Sequence, residues 1–259
     1  MNTLRVLRYA FETGWAEFRQ DTWPPGWILR TAAQAAFFAM LGQLLDSPER
    51  LEYLVIGNMV VVGALATAIA VPQSTWDRFE GTYPLVVAAP SSILFPTLGR
   101  TSSRLVGAFL TSVIAFVILS WLFTIPRPWP EILALVPLLA LTCFGTYCLM
   151  LFLGAVANYR PNVRNLVHNI ATMSLMAFCG VNLPVSYWPG WIEVIAHGLP
   201  ITHGLLAVRE LLAGGAAGSI LENAGLELLV AAAWLALAAL VMDRMAESGR
   251  ADGSIEFVG

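Results

Sequence analysis

The sequence predicts an all-α integral membrane protein with six transmembrane helices. An amphipathic interfacial helix opens it, and broken re-entrant helices precede the last span. Three observations lead there. Charged residues make up 12% of the chain and hydrophobic ones 58%, whereas a soluble domain carries about 25% charged residues. Apolar stretches alternate with polar or proline-rich links, and several approach the roughly 20 residues that a bilayer crossing needs. One stretch, 179–209, is too apolar for a surface loop and too interrupted by proline and glycine for a span.

Residues 1–22 place Leu4, Leu7, Phe11, Trp15 and Phe18 at steps of three and four, while Arg5, Arg8, Glu12 and Arg19 fall largely elsewhere. That is one apolar helix face, suited to lying along the membrane surface. The WPPG at 23–26 breaks it. The first span follows at 27–45, with Gln34 inside it and Arg30 near enough to its start to snorkel. A short acidic link with Asp46, Glu49 and Glu52 leads to a second span at 53–72, apolar apart from Asn58.

Residues 74–92 then place Asp77, Arg78 and Glu80 just beyond a membrane end, followed by Gly81, Pro84 and Pro90, as in a short helix and a turn. Span three covers 103–125 and is closed by Pro126, Pro128 and Pro130. Its small residues Gly107, Thr111 and Ala115 recur every four positions, the spacing of a close helix contact. Spans four and five cover 131–157 and 166–183, with Arg160, Pro161 and Arg164 between them.

The broken stretch fills 184–212, where Pro184, Pro189 and Pro200 leave no room for a full span. Trp188, Trp191 and Tyr187 favour the headgroup zone, so short helices that dip into one leaflet and return fit best. A Gly-Gly linker at 214–215, a sixth span at 224–242 and a polar tail at 243–259 end the chain.

Six spans put both termini and the 74–104 segment on one side with eleven of the arginines, against three on the other. By the excess of basic residues on the inner face, that side is cytoplasmic and 184–212 faces out. All fourteen basic residues are arginine, so these residues hold no P-loop lysine to bind nucleotide phosphates. Arg5, Arg8, Glu12, Glu17 and Arg19 interrupt any signal-peptide core near the start.

Cys143, Cys148 and Cys179 lie in apolar stretches without metal-ligand spacing and read as small buried hydrophobes. His168, His197 and His203 lack a second ligand at usable spacing and read as structural. No catalytic motif is present. The sequence reading also gives no ionisable group a place inside spans two to six, which argues against a gradient-driven carrier. Arg209 is expected to pair with Glu210 or to meet lipid headgroups.

Two segments resemble a known family. DRFEGTYPLVVAAPSSILFPTLGR at 77–100 and LPVSYWPGWIEVIAHGLPITHGLLAVRELLAGG at 183–215 look like the membrane subunit of an ABC-2 type exporter, closest to its drug-exporter branch. One departure is Tyr83-Pro84, where relatives often carry Leu-Glu. The resemblance implies the ABC-2 exporter fold across nearly the whole chain. It implies that Asp77, Arg78, Glu80, Gly81 and Thr82 form a coupling helix seated on a separate ATPase, with the N-terminal helix lying flat beside it.

It further implies that Pro184, Pro189, Trp191, Pro200, His203 and Arg209 shape a gate at the outward end of the pathway. The cofactors it implies, ATP and magnesium, belong to two partner ATPase subunits, and none is bound by this chain. A second permease copy or homologue, the lipid bilayer and an amphipathic drug, natural product or lipid-linked glycan as cargo complete the partners, with no nucleic acid. The location implied is a bacterial inner membrane. Two alternatives stay open: a membrane-embedded lipid-modifying enzyme that uses His168, His197 or His203, and a gradient-driven secondary transporter.

Overall fold

The computed structural model describes residues 3–21, 33, 37, 40–41, 47–75, 81, 92–123 and 129–252. Among them every regular element is a helix. In chain order these are α1 (Thr3–Asp21), α2 (Pro48–Ser74, with one 3-10 turn at Thr67–Ile69), α3 (Leu94–Leu122), α4 (Trp129–Ala157), α5 (Arg164–Phe178), α6 (Gly190–His197), α7 (Thr202–Leu212) and α8 (Ala217–Asp252). The helices α2, α3, most of α4 and most of α8 are long and apolar enough to cross a membrane. The α6–α7 pair adds a fifth candidate if its 86° bend is counted within one span. The expected first span at 27–45 lies outside the described residues except for 33, 37, 40 and 41, which are helical.

Helix α2 is central. Most of its apolar window, 83%, is buried inside the protein, against 22% for α8. The sequence accounts for this, because residues 55–65 are apolar or small on every face apart from Asn58, and such a helix belongs inside. Close approach depends on two glycines. A Cβ on Gly63 would sit 2.5 Å from the Cβ of Ser112 and 2.8 Å from the Ala108 carbonyl of α3. One on Gly57 would meet the Val181 carbonyl. Without a hydrophobic force between helices in lipid, such close packing holds them together.

On α3 the small stripe of Gly107, Thr111 and Ala115 is buried. Val106, Leu110, Ile114, Val117 and Trp121 point out. Small residues inward and large ones outward is the membrane pattern expected for 103–125. The helix starts earlier than expected, at Leu94, so the Gly99-Arg100 pair lies inside it. Helix α1 crosses there: a Cβ on Gly99 would meet Ala10, and one on Gly14 would meet the Arg100 carbonyl.

Two further boundaries differ from expectation. Helix α5 stops at Phe178 instead of running to 183, because Gly180 takes a left-handed φ of 78° that ends a helix readily. Helix α8 absorbs both the linker after 216 and the tail to 252. Its flanks are rich in Ala, Leu, Glu and Arg and free of proline, so helix propensity carries it past the apolar core. At 1.5 Å per residue it is about 54 Å long, longer than a hydrocarbon layer of about 30 Å.

The Gly63 contact is testable. Gly63→Ala forces α2 and α3 apart and should cost about 1–3 kcal/mol, as overpacked cores do. Detergent-resistant thermal unfolding of the purified chain reads it, and an unchanged midpoint would show that the two helices do not meet there.

Candidate functional site

The candidate site has two ends, joined by α8. At one end lies the α6–α7 corner. A chain that turns sharply among apolar side chains must bond every backbone group it exposes, and here the bonds can be followed one by one. Helix α6 ends at His197, leaving its last carbonyls without partners in the helix. Thr202 Oγ1 donates to the Ala196 carbonyl at 2.6 Å, His203 Nε2 to that of His197 at 3.2 Å and Trp234 Nε1 to that of Gly198 at 2.9 Å.

Helix α7 begins with free N–H groups, and a side chain from another helix accepts from them. Glu227 of α8 takes the Ile201 amide on Oε1 at 2.9 Å and the Gly204 amide on Oε2 at 3.0 Å. A carboxylate at a helix N-terminus also meets the positive end of the helix dipole. Glu227 is fully buried. It fits because position 145 of α4 is glycine: a Cβ there would lie 2.6 Å from Glu227 Oε1. Between the two helices Ile201 holds a φ of 85°, a region that β-branched residues rarely occupy.

This corrects the sequence reading that spans two to six hold no ionisable group. Glu227 lies inside the stretch 224–242 and inside the protein. Arg104 of α3 is likewise buried, its Nε donating to Gln73 Oε1 at 3.2 Å. The Glu227 carboxylate nevertheless does not have the form of an ion relay, since both its oxygens are already bonded to backbone amides.

Arg209 anchors the other end of α7. Its Nη1 donates to the Tyr53 hydroxyl at 2.8 Å and the Gly180 carbonyl at 2.9 Å, and its Nη2 to the carbonyls of Tyr53 and Val181 at 3.3 Å each. The guanidinium carbon stands 3.5 Å from the centre of the Tyr53 ring. The expected pairing with Glu210 is not made: Glu210 Oε2 accepts from Asn223 at 3.4 Å. A fork with several donors gathers separate carbonyls as a point charge cannot. Here it ties the turn after α5 to the first turns of α2, and Asn58 supports the same turn through Asn182 Oδ1 at 3.2 Å.

The remaining residues expected at the gate lie at or near the same corner. Pro184 caps a 3-10 turn at Val185–Tyr187 and Pro189 caps α6. Pro200 lies against Gly145. Trp191 is 68% exposed, whereas His203 is buried, with its ring 5.0 Å from that of His197. Among the described residues no three His, Cys, Asp or Glu side chains converge on a metal site.

The second end borders residues 74–92. Asp77, Arg78, Glu80 and Thr82 lie outside the described residues, and Gly81 takes a left-handed φ of 70°. The flanks of the segment are fastened. Asn158, just past α4, donates to the Ser74 carbonyl at 3.1 Å, and the Ser92 hydroxyl donates to Asp243 Oδ1 of α8 at 2.6 Å. Higher on α2, Pro72 has no N–H to offer the Ala68 carbonyl four residues back, and His168 Nδ1 lies 2.9 Å from that oxygen. His168 therefore has a packing role.

Two substitutions probe the corner. Glu227→Ala strands two buried amides, at about 1–3 kcal/mol each, while Glu227→Gln keeps an acceptor and loses less. Equal thermal stability of the two variants would remove the cap. Arg209→Lys surrenders the fork and should cost about 2 kcal/mol or more, and a chain that unfolds at the parental temperature would show that the carbonyls need no clamp.

The family model described as ABC-2 type transporter matches residues 20–213, three-quarters of the chain. A search among curated proteins found no match.

Proposed function

The chain belongs to the ABC-2 type transporter family, and from that premise we propose that it is the permease subunit of an ATP-driven exporter in a bacterial inner membrane. The matched span carries the reading, because it takes in the whole of 77–100 and nearly all of 183–215, the two segments with the family's features. A transport permease of this family supplies the path, and a separate ATPase supplies the work.

The chemistry of the chain supports that division of labour. With no lysine in its 259 residues it lacks the group that a P-loop uses on nucleotide phosphates, so ATP and magnesium belong to the partner. The segment around Asp77, Arg78, Glu80, Gly81 and Thr82 seats on that ATPase. Its flanks at Ser74 and Ser92 are bonded to Asn158 and Asp243, which gives its movement a route to α4 and α8. Two ATPase subunits and two permease copies, or a copy and a homologue, complete the assembly.

The α6–α7 corner roofs the outward end of the path. Pro184, Pro189 and Pro200 set its bends, Trp191 faces out, and His203 and Arg209 hold it to α6 and α2. The cargo is an amphipathic molecule, a drug or natural product ahead of a lipid-linked glycan, given the likeness of 183–215 to the drug-exporter branch. Both termini lie in the cytoplasm by the distribution of arginine. A gradient-driven carrier would need a free ionisable group in the path, and the buried Glu227 has both oxygens bonded to amides.

The test is purification from the source cells in mild detergent, followed by assay of ATP hydrolysis in whatever accompanies the chain. An ATPase is expected to co-elute, and Asp77→Ala with Glu80→Ala should release or uncouple it. A chain that purifies alone under several detergents would overturn the coupling assignment and bring the lipid-modifying and gradient-driven readings forward.

A further inference from the structure

Helix α8 touches both ends of the site, each through a carboxylate. Asp243 accepts from Ser92, the last residue of the segment proposed to seat on the ATPase. Glu227 accepts from Ile201 and Gly204 at the corner. The two acids are sixteen residues apart on one unbroken helix, so about 24 Å at 1.5 Å per residue, and they leave it about 160° apart at 3.6 residues per turn.

The two segments therefore meet α8 on opposite sides, Glu227 on its buried side and Asp243 on an exposed one. The buried side packs against α4 and α7. Ala231, Ala238 and Met242 are buried, Trp234 lies 5.2 Å from Phe152 of α4 ring to ring, and α8 has no proline to bend at.

We infer that α8 is a transmission lever, in which Asp243 takes up movement of the 74–92 segment through Ser92 and Glu227 delivers it to the α6–α7 corner. Asp243 and Glu227 are positioning residues in this account. The inference rests on the exporter reading, since it needs an ATPase to move the segment. Its physical content is that both ends of one stiff element are bonded to the two parts that must move together.

Trp191 is exposed at the corner, and Trp191→Cys makes a reporter there. The native Cys143, Cys148 and Cys179 are buried, and the chain without the reporter gives their background. The complex with its co-purified ATPase is placed in lipid nanodiscs. The rate of maleimide labelling is then compared without nucleotide and with ATP plus vanadate, alongside ATP hydrolysis. The reporter chain should change its labelling rate by about fivefold or more between the two states, the lower range of ordinary allosteric coupling.

Asp243→Ala and Ser92→Ala should each remove most of that change while ATP is still hydrolysed, and Glu227→Gln, which keeps one acceptor, should remove part of it. Asp243 and Ser92 meet at the exposed end of the lever, so their variants test it even if a change at the buried Glu227 impairs folding. Asp243→Ala combined with Glu227→Gln should be no worse than Asp243→Ala alone, because one route is cut twice. A change that survives Asp243→Ala and Ser92→Ala, or losses that simply add, would overturn the lever and leave the exporter reading standing. A reporter chain indifferent to nucleotide, or one with no ATPase attached, would overturn the exporter reading and the lever with it.

Discussion

The structure depends on one constraint: in an apolar surrounding, a backbone N–H or carbonyl without a partner is costly enough to decide the path of the chain. A straight helix meets the constraint by itself. Among the described residues, three departures from a straight helix come with side chains that make up the loss. The α6–α7 bend has Thr202, His203, Trp234 and Glu227. The turn after α5 has Tyr53 and Arg209 on its Gly180 carbonyl. Pro72 has His168 opposite the carbonyl that it leaves unserved. Several of the polar residues inside this protein thus stand where the backbone needs a partner.

The second organising fact follows from the first. Because helices in lipid gain little from hiding apolar surface, their contacts rely on closeness, and closeness requires small residues. Helix α2 can be surrounded because Gly57 and Gly63 admit the Val181 carbonyl and Ser112. Helix α4 admits Glu227 and Ser74 through Gly145 and Gly154. The same glycines that allow packing therefore also create the notches into which the polar supports reach.

Much of this was legible in the sequence, and what was not has a physical reason. Length and hydropathy located α2, α3, α4 and α8, and the proline spacing of 184–200 located a break where α6 and α7 meet. The ends of helices were less legible. Leu94–Ser102 reads as polar and broken yet is helical, because a proline within the first turn, Pro96, costs a helix little. Glu227 was overlooked because a lone acid disappears among the eighteen other residues of 224–242, all apolar or small. Its partners are also backbone amides 23 and 26 positions away, which no side-chain motif records. Arg209 was noticed, but its partner Tyr53 lies 156 positions away, and proximity to Glu210 suggested the wrong pairing.

Why a carboxylate should serve at the corner, where burying charge is expensive, can be argued from its atoms. The two amides that need acceptors belong to residues 201 and 204, on successive parts of the first turn of α7. An ionised carboxylate offers an acceptor oxygen to each and brings no donor of its own. An amide side chain would bring an NH₂ group that itself needs partners, and a hydroxyl offers a single oxygen. The positive end of α7 offsets part of the cost of the charge. The bond is better evidence for a fixed arrangement than for added stability: α7 sits on α8 where both oxygens find their amides.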